Sequence, residues 1–147
     1  MDHIDYVFTV GMEEAAVQDR LTDTDTGVLA LASDNDAYAF PVAHHYEEGS
    51  LYVRLATDGS STKMDYLEET DTACLTIYDV DSPTRSWSIV VTGALRTLSG
   101  LERQQFDETT VNESFLQLRV FDEEIEAVDL EIYELMADSI AGRETVD

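Results

Sequence analysis

Short apolar runs, separated by clusters of Asp, Asn, Gly and Ser, dominate the first half of the chain. Residues 27–33 are almost continuously apolar, a pattern typical of a buried strand. Turn residues follow at 34–36 and at 47–49. They lead into two further strand-like segments, residues 37–46 and 51–57. Because short turns join antiparallel neighbours, this region is predicted to be a three-stranded meander.

Three more strands are predicted in the rest of the chain. Residues 72–80 and 86–98 are rich in β-branched and apolar residues, and an irregular loop at 81–85 separates them. Gly93 lies inside the longer segment and predicts a bulge or a bend there. Apolar and polar residues alternate again near the end of the chain, which predicts a last strand over residues 128–137.

Helical spacing of apolar residues is confined to a few segments. It predicts one short amphipathic helix over residues 12–21 and another over 63–69. The charge-rich residues 101–120 are predicted to form two short helices. Residues 1–11 are poorly periodic and are expected to be an arm packed on a neighbour, and residues 140–144 are expected to be the exit from the fold.

Six strands that follow one another by short turns, with a few peripheral helices, predict a mainly β fold. Such a set of strands favours a small closed antiparallel barrel, because closure removes the exposed sheet edges. A chain of 147 residues can bury a real core within one domain. Residues 1–147 are therefore expected to form a single domain.

The charge of the chain is strongly one-sided, with 32 acidic residues, 8 basic ones and a net charge of −24. Such a surface repels nucleic acid and anionic membranes, so neither is an expected partner. This acidity, with lysine almost eliminated, is typical of proteins from extreme halophiles, where salt screens the self-repulsion. No apolar run could span a membrane and no signal peptide is recognisable, so a cytoplasmic location is expected.

Several kinds of site find no support in the sequence. Cys74 is the only cysteine and lies in an apolar strand, so it is expected to be buried and inert. His44 and His45 adjoin on a predicted strand, so their side chains point to opposite faces and cannot bind one metal from the same side. Zinc-like spacing and nucleophile motifs are absent from the sequence, so neither a metal site nor a hydrolase is predicted.

Lys63 is the only lysine of the chain, and it follows a strand and a short polar loop at the start of a predicted helix. Gly59 in this loop would let a ligand approach the backbone, and Ser60, Ser61 and Thr62 supply hydroxyl groups. The helix start adds N–H groups and a partial positive charge. These groups and the ammonium together predict an anion site, most naturally for a phosphate.

A structural role explains the same loop about as well. Thr62 and Asp65 have the spacing of a capping box, and Ser61 could be a simple N-cap of the helix. The motif is also too short and too poor in glycine for a nucleotide P-loop. Taken alone, the motif leaves the phosphate site and the helix cap open as alternatives.

The order of elements resembles that of the FMN-binding split-barrel proteins of the pyridoxamine 5′-phosphate oxidase class, especially their short, NimA-like members. The resemblance covers roughly residues 19–143. It is carried by residues 38–46, 49–56, 61–67, 86–93 and 140–143. Its most specific part is the step from Ser61 to Lys63, since relatives hold the FMN phosphate at this place.

The resemblance implies that FMN lies in a groove at the interface of a homodimer. The flavin ring would run along the backbone of residues 41–44 and 52–55, and Arg54, Ser61 and Lys63 would hold the phosphate. Trp87 or Ser88 could reach the flavin of the partner subunit. The implied cofactor-binding residues are Pro41, Val42, Ala43, His44, Val53, Arg54, Leu55, Ser61, Thr62, Lys63, Trp87 and Ser88.

The resemblance therefore implies an FMN-dependent oxidoreductase that acts on an unidentified small molecule. Oxidation of pyridoxamine phosphate itself is not expected, because the chain is shorter than that enzyme and lacks its Arg-x-His substrate motif near the end. The same barrel could instead bind the deazaflavin F420, or haem with His44 or His45 as an axial ligand. A non-catalytic flavin-binding protein is a further alternative.

The expected homodimer has one additional argument. Trp87 is a lone large aromatic residue beside a strand start, where a monomer would leave it partly exposed.

Overall fold

The computed structural model of the protein describes residues 8–57, 61–104 and 129–146. These ranges contain seven strands and three helices. In chain order the elements are β1 (Phe8–Gly11), α1 (Glu14–Asp23), β2 (Thr26–Ser33), β3 (Asp36–Glu47), β4 (Ser50–Thr57), α2 (Ser61–Glu69), β5 (Ala73–Ser82), β6 (Arg85–Thr97), α3 (Gly100–Gln104) and β7 (Asp129–Val146).

The strands form one antiparallel sheet in the order β1-β7-β4-β3-β2-β5-β6. A further pairing between β6 and β7 closes six strands into a barrel, and β1 extends the sheet beyond this ring by pairing with β7. The predicted mainly β split barrel with peripheral helices is confirmed. The segment expected to pack on a neighbour instead supplies β1, while residues 1–7 lie outside the described part.

Two tight turns set the register of the meander. The backbone φ angles are 50° and 66° at Asp34 and Asn35, and 51° and 85° at Glu48 and Gly49. Positive φ at both central residues gives a turn whose twist matches that of the paired strands. Asn, Asp and Gly adopt this conformation at the lowest cost. The predicted antiparallel meander of β2, β3 and β4 is confirmed.

A β-bulge bends the sheet where β6 crosses to the second half of β7. The register between the two strands shifts at Gly93 and leaves Asp138 as the extra residue of β7. A Cβ atom on Gly93 would lie 2.0 Å from the carbonyl oxygen of Met136, so the backbones can approach this closely only at glycine. The irregularity predicted at Gly93 is confirmed.

Two predictions about the segments between elements were wrong. β7 runs to Val146 and takes in residues 140–144, which were expected to be an exit segment. A turn at residues 83–84 joins β5 to β6, so these strands form a hairpin rather than flanking an irregular loop. α3 lies within the predicted helical stretch, the rest of which falls outside the described residues.

Strand alternation fills the barrel interior with apolar side chains, to which α1 adds Val17 and Leu21. On β5, Ala73, Leu75 and Ile77 are buried on this inner face. Cys74 alternates with them onto the outer face and is only partly buried, so the expectation of a buried thiol was wrong. None of the helices that the structure describes is long and apolar enough to cross a membrane.

Candidate functional site

Lys63 lies in the first turn of α2, and its side chain is only 6% exposed. Its Nζ atom lies 4.5 Å from the centroid of the Phe40 ring. Lysine is rarely buried without compensation, and an aromatic face is one group that attracts an ammonium. The only lysine of the chain is therefore drawn into the end of the barrel rather than into solvent.

The loop before Lys63 falls largely outside the described residues. Residues 58–60 and the side chains of Ser61 and Thr62 belong to this part. The predicted hydroxyl ligands and the alternative helix cap both stay predictions.

Contacts with the β2–β3 hairpin fix the position of α2. The ring of Tyr66 stacks on Tyr38 with centroids 5.2 Å apart. The Ala32 amide donates a hydrogen bond to Oγ1 of Thr70 at 3.2 Å, just after the helix ends. The Ser33 hydroxyl donates to the Glu69 carboxylate. These contacts hold the helix, and with it Lys63, against one end of the barrel.

Arg54 lies on the outer face of β4, between Ala43 on β3 and Ile132 on β7. It is 8% exposed, and burial lowers the pKa of its guanidinium group, which nevertheless stays protonated. Lys63, by contrast, reaches the inward-facing Phe40. The two predicted phosphate-binding cations therefore approach the β3–β4 pair from different faces.

The remaining candidates on β3 and β4 divide between the two faces of the sheet. Val42, Val53 and Leu55 are buried in the core, so only their main-chain atoms could touch a ligand on the outer face. Ala43 is buried on the outer face in a small cluster with Ile132, and Pro41 is exposed. The structure is thus compatible with a ligand that contacts the main chain of β3 and β4. The side chains of these candidates offer such a ligand few polar groups.

His44 and His45 lie on opposite faces of β3, as predicted. His44 is 1% exposed and lies beneath the end of α1, with its Nε2 atom 3.0 Å from Oγ1 of Thr24. The Thr24 hydroxyl donates its proton to the Arg20 carbonyl at 2.7 Å, so Nε2 of His44 must be the donor to Thr24. In the neutral ring, Nδ1 of His44 is therefore the nitrogen without a proton.

Burial lowers the pKa of His44, and the Leu21 backbone and the Asp25 carboxylate oppose this only in part. The Leu21 carbonyl lies near the ring without meeting hydrogen-bond geometry, so Nδ1 has no partner among the described residues. His45 faces outward, and its Nε2 atom lies within hydrogen-bond distance of the Glu47 carboxylate, at 3.1 Å. Of the two histidines, His45 is thus the one on the same face as Arg54.

Trp87 points into the barrel and is 4% exposed, so its expected exposure in a single chain was wrong. The guanidinium carbon of Arg20 lies 4.9 Å from the centroid of its ring. The indole Nε1 atom is buried and has no hydrogen-bond partner among the described residues. The expectation of a homodimer therefore has no support from Trp87.

A pocket of about 310 Å³ opens beside Trp87 on the outer face of the barrel. Ser86, Ser88, Arg143 and Thr9 contribute to its lining. Arg143 is oriented by hydrogen bonds to Thr9, from Nε to Oγ1 at 3.0 Å and from Nη2 to the carbonyl at 2.8 Å. Hydroxyls beside an oriented guanidinium suit a polar or anionic group. The fold thus brings together residues from three segments that the sequence analysis had treated separately.

Arg96 was not predicted, yet it organises the outer face near Tyr52. Its Nε donates to Glu134 at 2.6 Å and its Nη1 to Glu102 at 2.9 Å. The hydrogen bonds from Arg96, followed by those from Ser99, lower the pKa of Glu102 to about 2. An isolated arginine in a strand pattern gives no signal of such a cluster, because Glu134, its partner on the neighbouring strand, lies 38 residues away in sequence.

Comparison with known proteins identifies a family for this chain. The sequence profile of the family described as pyridoxamine 5′-phosphate oxidase matches residues 13–144. No curated protein matches the chain in sequence.

Several solved structures share the fold. A FAD-binding protein from Mesorhizobium loti has a TM-score of 0.70 at 16% identity, with 97% of this chain and 100% of that chain covered. A candidate 5-nitroimidazole antibiotic resistance protein from Bacteroides thetaiotaomicron VPI-5482 gives 0.69 at 15%, with 99% and 95% covered. A candidate pyridoxamine 5′-phosphate oxidase from Corynebacterium glutamicum ATCC 13032 gives 0.66 at 18%, with 92% of each chain covered.

Proposed function

The chain belongs to the pyridoxamine 5′-phosphate oxidase family, and we propose that it binds FMN and acts as a flavin-dependent oxidoreductase on a small molecule. The observation that carries the proposal is the buried Lys63 at the start of α2, on a barrel of this family. A phosphate group bound there could accept a charge-assisted hydrogen bond from the Lys63 ammonium.

The charges of the chain support a phosphate ligand over a neutral one. Lys63 and Arg54 are both buried, although the chain has a net charge of −24 and abundant carboxylates. A buried cation attracts an anionic ligand more strongly than an exposed one, because water screens its charge less. In this proposal Lys63 holds the phosphate from the end of the barrel, and Arg54 lies along the outer face where the rest of the cofactor would run.

The flavin, when bound, supplies the electron-transfer chemistry. The residues of this chain bind and orient it. Main-chain atoms of β3 and β4 would contact the flavin ring, because the side chains of Val42, Val53 and Leu55 are buried in the core. The pocket beside Ser88 and Arg143 would meet the cofactor held mainly by the partner subunit.

A homodimer is part of the proposal, because one face of the barrel has the composition of an interface. Val28, Tyr78 and Val90 are 37%, 63% and 37% exposed on the outer face of β2, β5 and β6. Ten outward-facing residues that pair with one another across β2, β5, β6 and β7 include no carboxylate, although the chain is very acidic. They are Val28, Ala30, Cys74, Thr76, Tyr78, Ser88, Val90, Thr92, Ser139 and Ala141. An uncharged face of this kind suits a second copy of the chain.

The names of two structural neighbours indicate which ligands to test. One is named as FAD-binding and the other for 5-nitroimidazole resistance. We therefore extend the proposal to a small, reducible aromatic molecule as the class of substrate.

The test is a binding titration of the purified protein at molar salt with FMN, FAD, F420 and haem. Saturable binding of FMN, seen as a change in flavin fluorescence, is the expected result. If the protein preferred F420 or haem, that cofactor would take the place of FMN in the proposal. If it bound none of the four, the proposal would be overturned. Photoreduced protein-bound flavin is then mixed with a 5-nitroimidazole. Oxidation no faster than that of free flavin would leave a flavin-binding protein without this activity.

A further inference from the structure

The ammonium of Lys63 lies over the ring of Phe40, a residue that the sequence analysis did not single out. The Phe40 ring is 7% exposed and the lysine side chain is 6% exposed, so water has little access to either. The distance of 4.5 Å from Nζ to the ring centroid is that of a cation–π contact. Such contacts strengthen as the cation loses its water.

Phe40 is itself part of a row of aromatic rings. Tyr38, two residues before it on β3, lies 5.4 Å away between ring centroids. Tyr38 in turn stacks on Tyr66 of α2 at 5.2 Å, with an interplanar angle of 23°. Because Tyr66 and Lys63 are three residues apart on one helix, they lie on the same face of α2. The row of aromatic contacts therefore connects the ring of Phe40 to α2 and fixes its position relative to the backbone that carries Lys63.

We propose that Phe40 is a positioning residue for phosphate recognition: its ring holds the Lys63 ammonium, partly desolvated, at the end of the barrel where the phosphate of the cofactor binds. This inference rests on the proposed function, because it assigns the phosphate of FMN as the anion. Leucine at position 40 would fill the core but would lack the electron-rich face. The lysine would then sample more conformations, and part of its preference for a phosphorylated ligand would be lost.

The functional test compares FMN with riboflavin, which lacks the phosphate, at one fixed molar salt concentration. Phe40→Leu is expected to weaken FMN binding about three- to tenfold, the factor that corresponds to about 0.6–1.4 kcal/mol, and to leave riboflavin unchanged. Phe40→Trp is expected to restore FMN binding, because it retains an aromatic face. In a Lys63→Met background, Phe40→Leu is expected to have no further effect on the ratio of the two affinities.

Tyr46→Leu is the matched control, because Tyr46 is a partly buried aromatic residue on the same strand and face. It should alter neither the affinity ratio nor the lysine contact. Equal weakening of FMN and riboflavin by Phe40→Leu would overturn the positioning role and leave only a packing role. Persistence of the Phe40→Leu effect in the Lys63→Met background would overturn it as well.

A second readout is independent of any flavin. Because Lys63 is the only lysine, protein labelled with ¹³C-lysine gives a single set of lysine side-chain NMR signals. The ring of Phe40 should shift the Cε proton signals upfield in the wild-type protein, and Phe40→Leu should abolish this shift. Unshifted signals in the wild type would overturn the contact itself. A shifted signal in a protein that binds no flavin would instead show that the proposed function had failed while the contact stood.

Discussion

At the scale of single residues, burial distinguishes the two cations proposed to lie at the cofactor, Lys63 and Arg54, from an exposed arginine such as Arg85. The chain has 32 acidic residues and a single lysine, so the surface has been nearly emptied of ammonium groups. Lys63 is nevertheless retained inside, and Arg54 is buried as well, whereas Arg85 is exposed. Selection for an acidic surface explains the missing lysines but does not explain a buried one. A local role for Lys63 therefore follows from its position.

Replacing Lys63 by methionine is expected to weaken FMN binding by about 1–3 kcal/mol, the range for a hydrogen bond to a charged group. Riboflavin should lose much less, because it has no phosphate. Equilibrium titrations of both flavins at fixed molar salt make the comparison, since salt screens the interaction. Arg85→Met is the control, because it removes an exposed positive charge and should change neither affinity. If Lys63→Met weakened both flavins equally, the lysine would act through the fold rather than through the phosphate.

At the scale of elements, the sequence predicted the strands of the meander well. Their turns contain Asp34, Asn35, Glu48 and Gly49, whose positive φ angles fit two-residue hairpins. The inward residues of β2 to β6 alternate regularly, which is the signal that a strand pattern can detect. Local chemistry and tertiary structure agree in this part of the barrel.

β7 was predicted only in its first half, and the bulge at Asp138 gives the reason. Before the bulge, the odd-numbered residues Tyr133 and Leu135 face the barrel interior. Beyond it, the even-numbered residues Ile140 and Gly142 are on the inner face, because they pair with the inward-facing Val91 and Ile89 of β6. The extra residue shifts the period of alternation by one position, so a period-2 pattern appears to end there. Pairing with β6 and β1, both distant in sequence, extends the strand.

The candidate site was predictable only where one short segment carried it. Lys63 was found because its residue type is unique in the chain. Phe40, Arg96 and the pocket at Arg143 depend on contacts between distant segments, which a sequence pattern does not contain. Trp87 was misplaced because a residue at a strand start can face either way, and packing against α1 decided the direction.

The buried His44, which lies where α1 packs on β3, should make the stability of the fold depend on pH. The pKa of His44 is lowered in the folded protein, so the unfolded chain binds a proton first as the pH falls. Stability is therefore complete above the ordinary histidine pKa of about 6.5 and falls below it, by at most about 1.4 kcal/mol per pH unit. Asp25 would favour the charged ring and His45 would disfavour it, and neither reverses the shift.

His44→Gln is expected to reduce the stability lost between pH 7 and pH 5.5, because glutamine can donate to Thr24 but does not titrate. His45→Gln is the control, since His45 faces outward beside Glu47, and it should retain the full loss. Denaturant unfolding at molar salt measures both variants. An identical pH dependence in the His44→Gln variant and the wild type would contradict the assignment of the titrating group.

At the scale of the whole molecule, a net charge of −24 on 147 residues should make folding depend on salt. The mutual repulsion of the carboxylates should cost several kcal/mol in dilute buffer, on the order of what Coulomb interactions at protein surfaces allow. We expect the thermal midpoint to rise from low salt to molar NaCl. A midpoint that stayed constant over this range would contradict an adaptation to high salt. Sucrose serves as the control, since it favours burial without screening charge.

The same charge balance gives a direct test of the homodimer. Val90 lies in the middle of the uncharged outer face, and its side chain is 37% exposed in the single chain. Val90→Glu should therefore be tolerated by the fold, but a two-fold interface there would bring two new carboxylates close together. We expect the wild type to have a dimer mass by light scattering at multimolar salt and micromolar protein. The Val90→Glu variant should shift towards the monomer.

Leu101→Glu provides the matched control, because it adds the same charge at an apolar position of α3 that is 82% exposed. This variant should remain dimeric, so that any dissociation of Val90→Glu can be assigned to the face rather than to the added charge. A monomeric wild type would remove the second copy from the proposal. A dimeric wild type whose Val90→Glu variant stayed dimeric would place the interface elsewhere. The pocket at Ser88 and Arg143 would then no longer be the partner's contribution to the cofactor site.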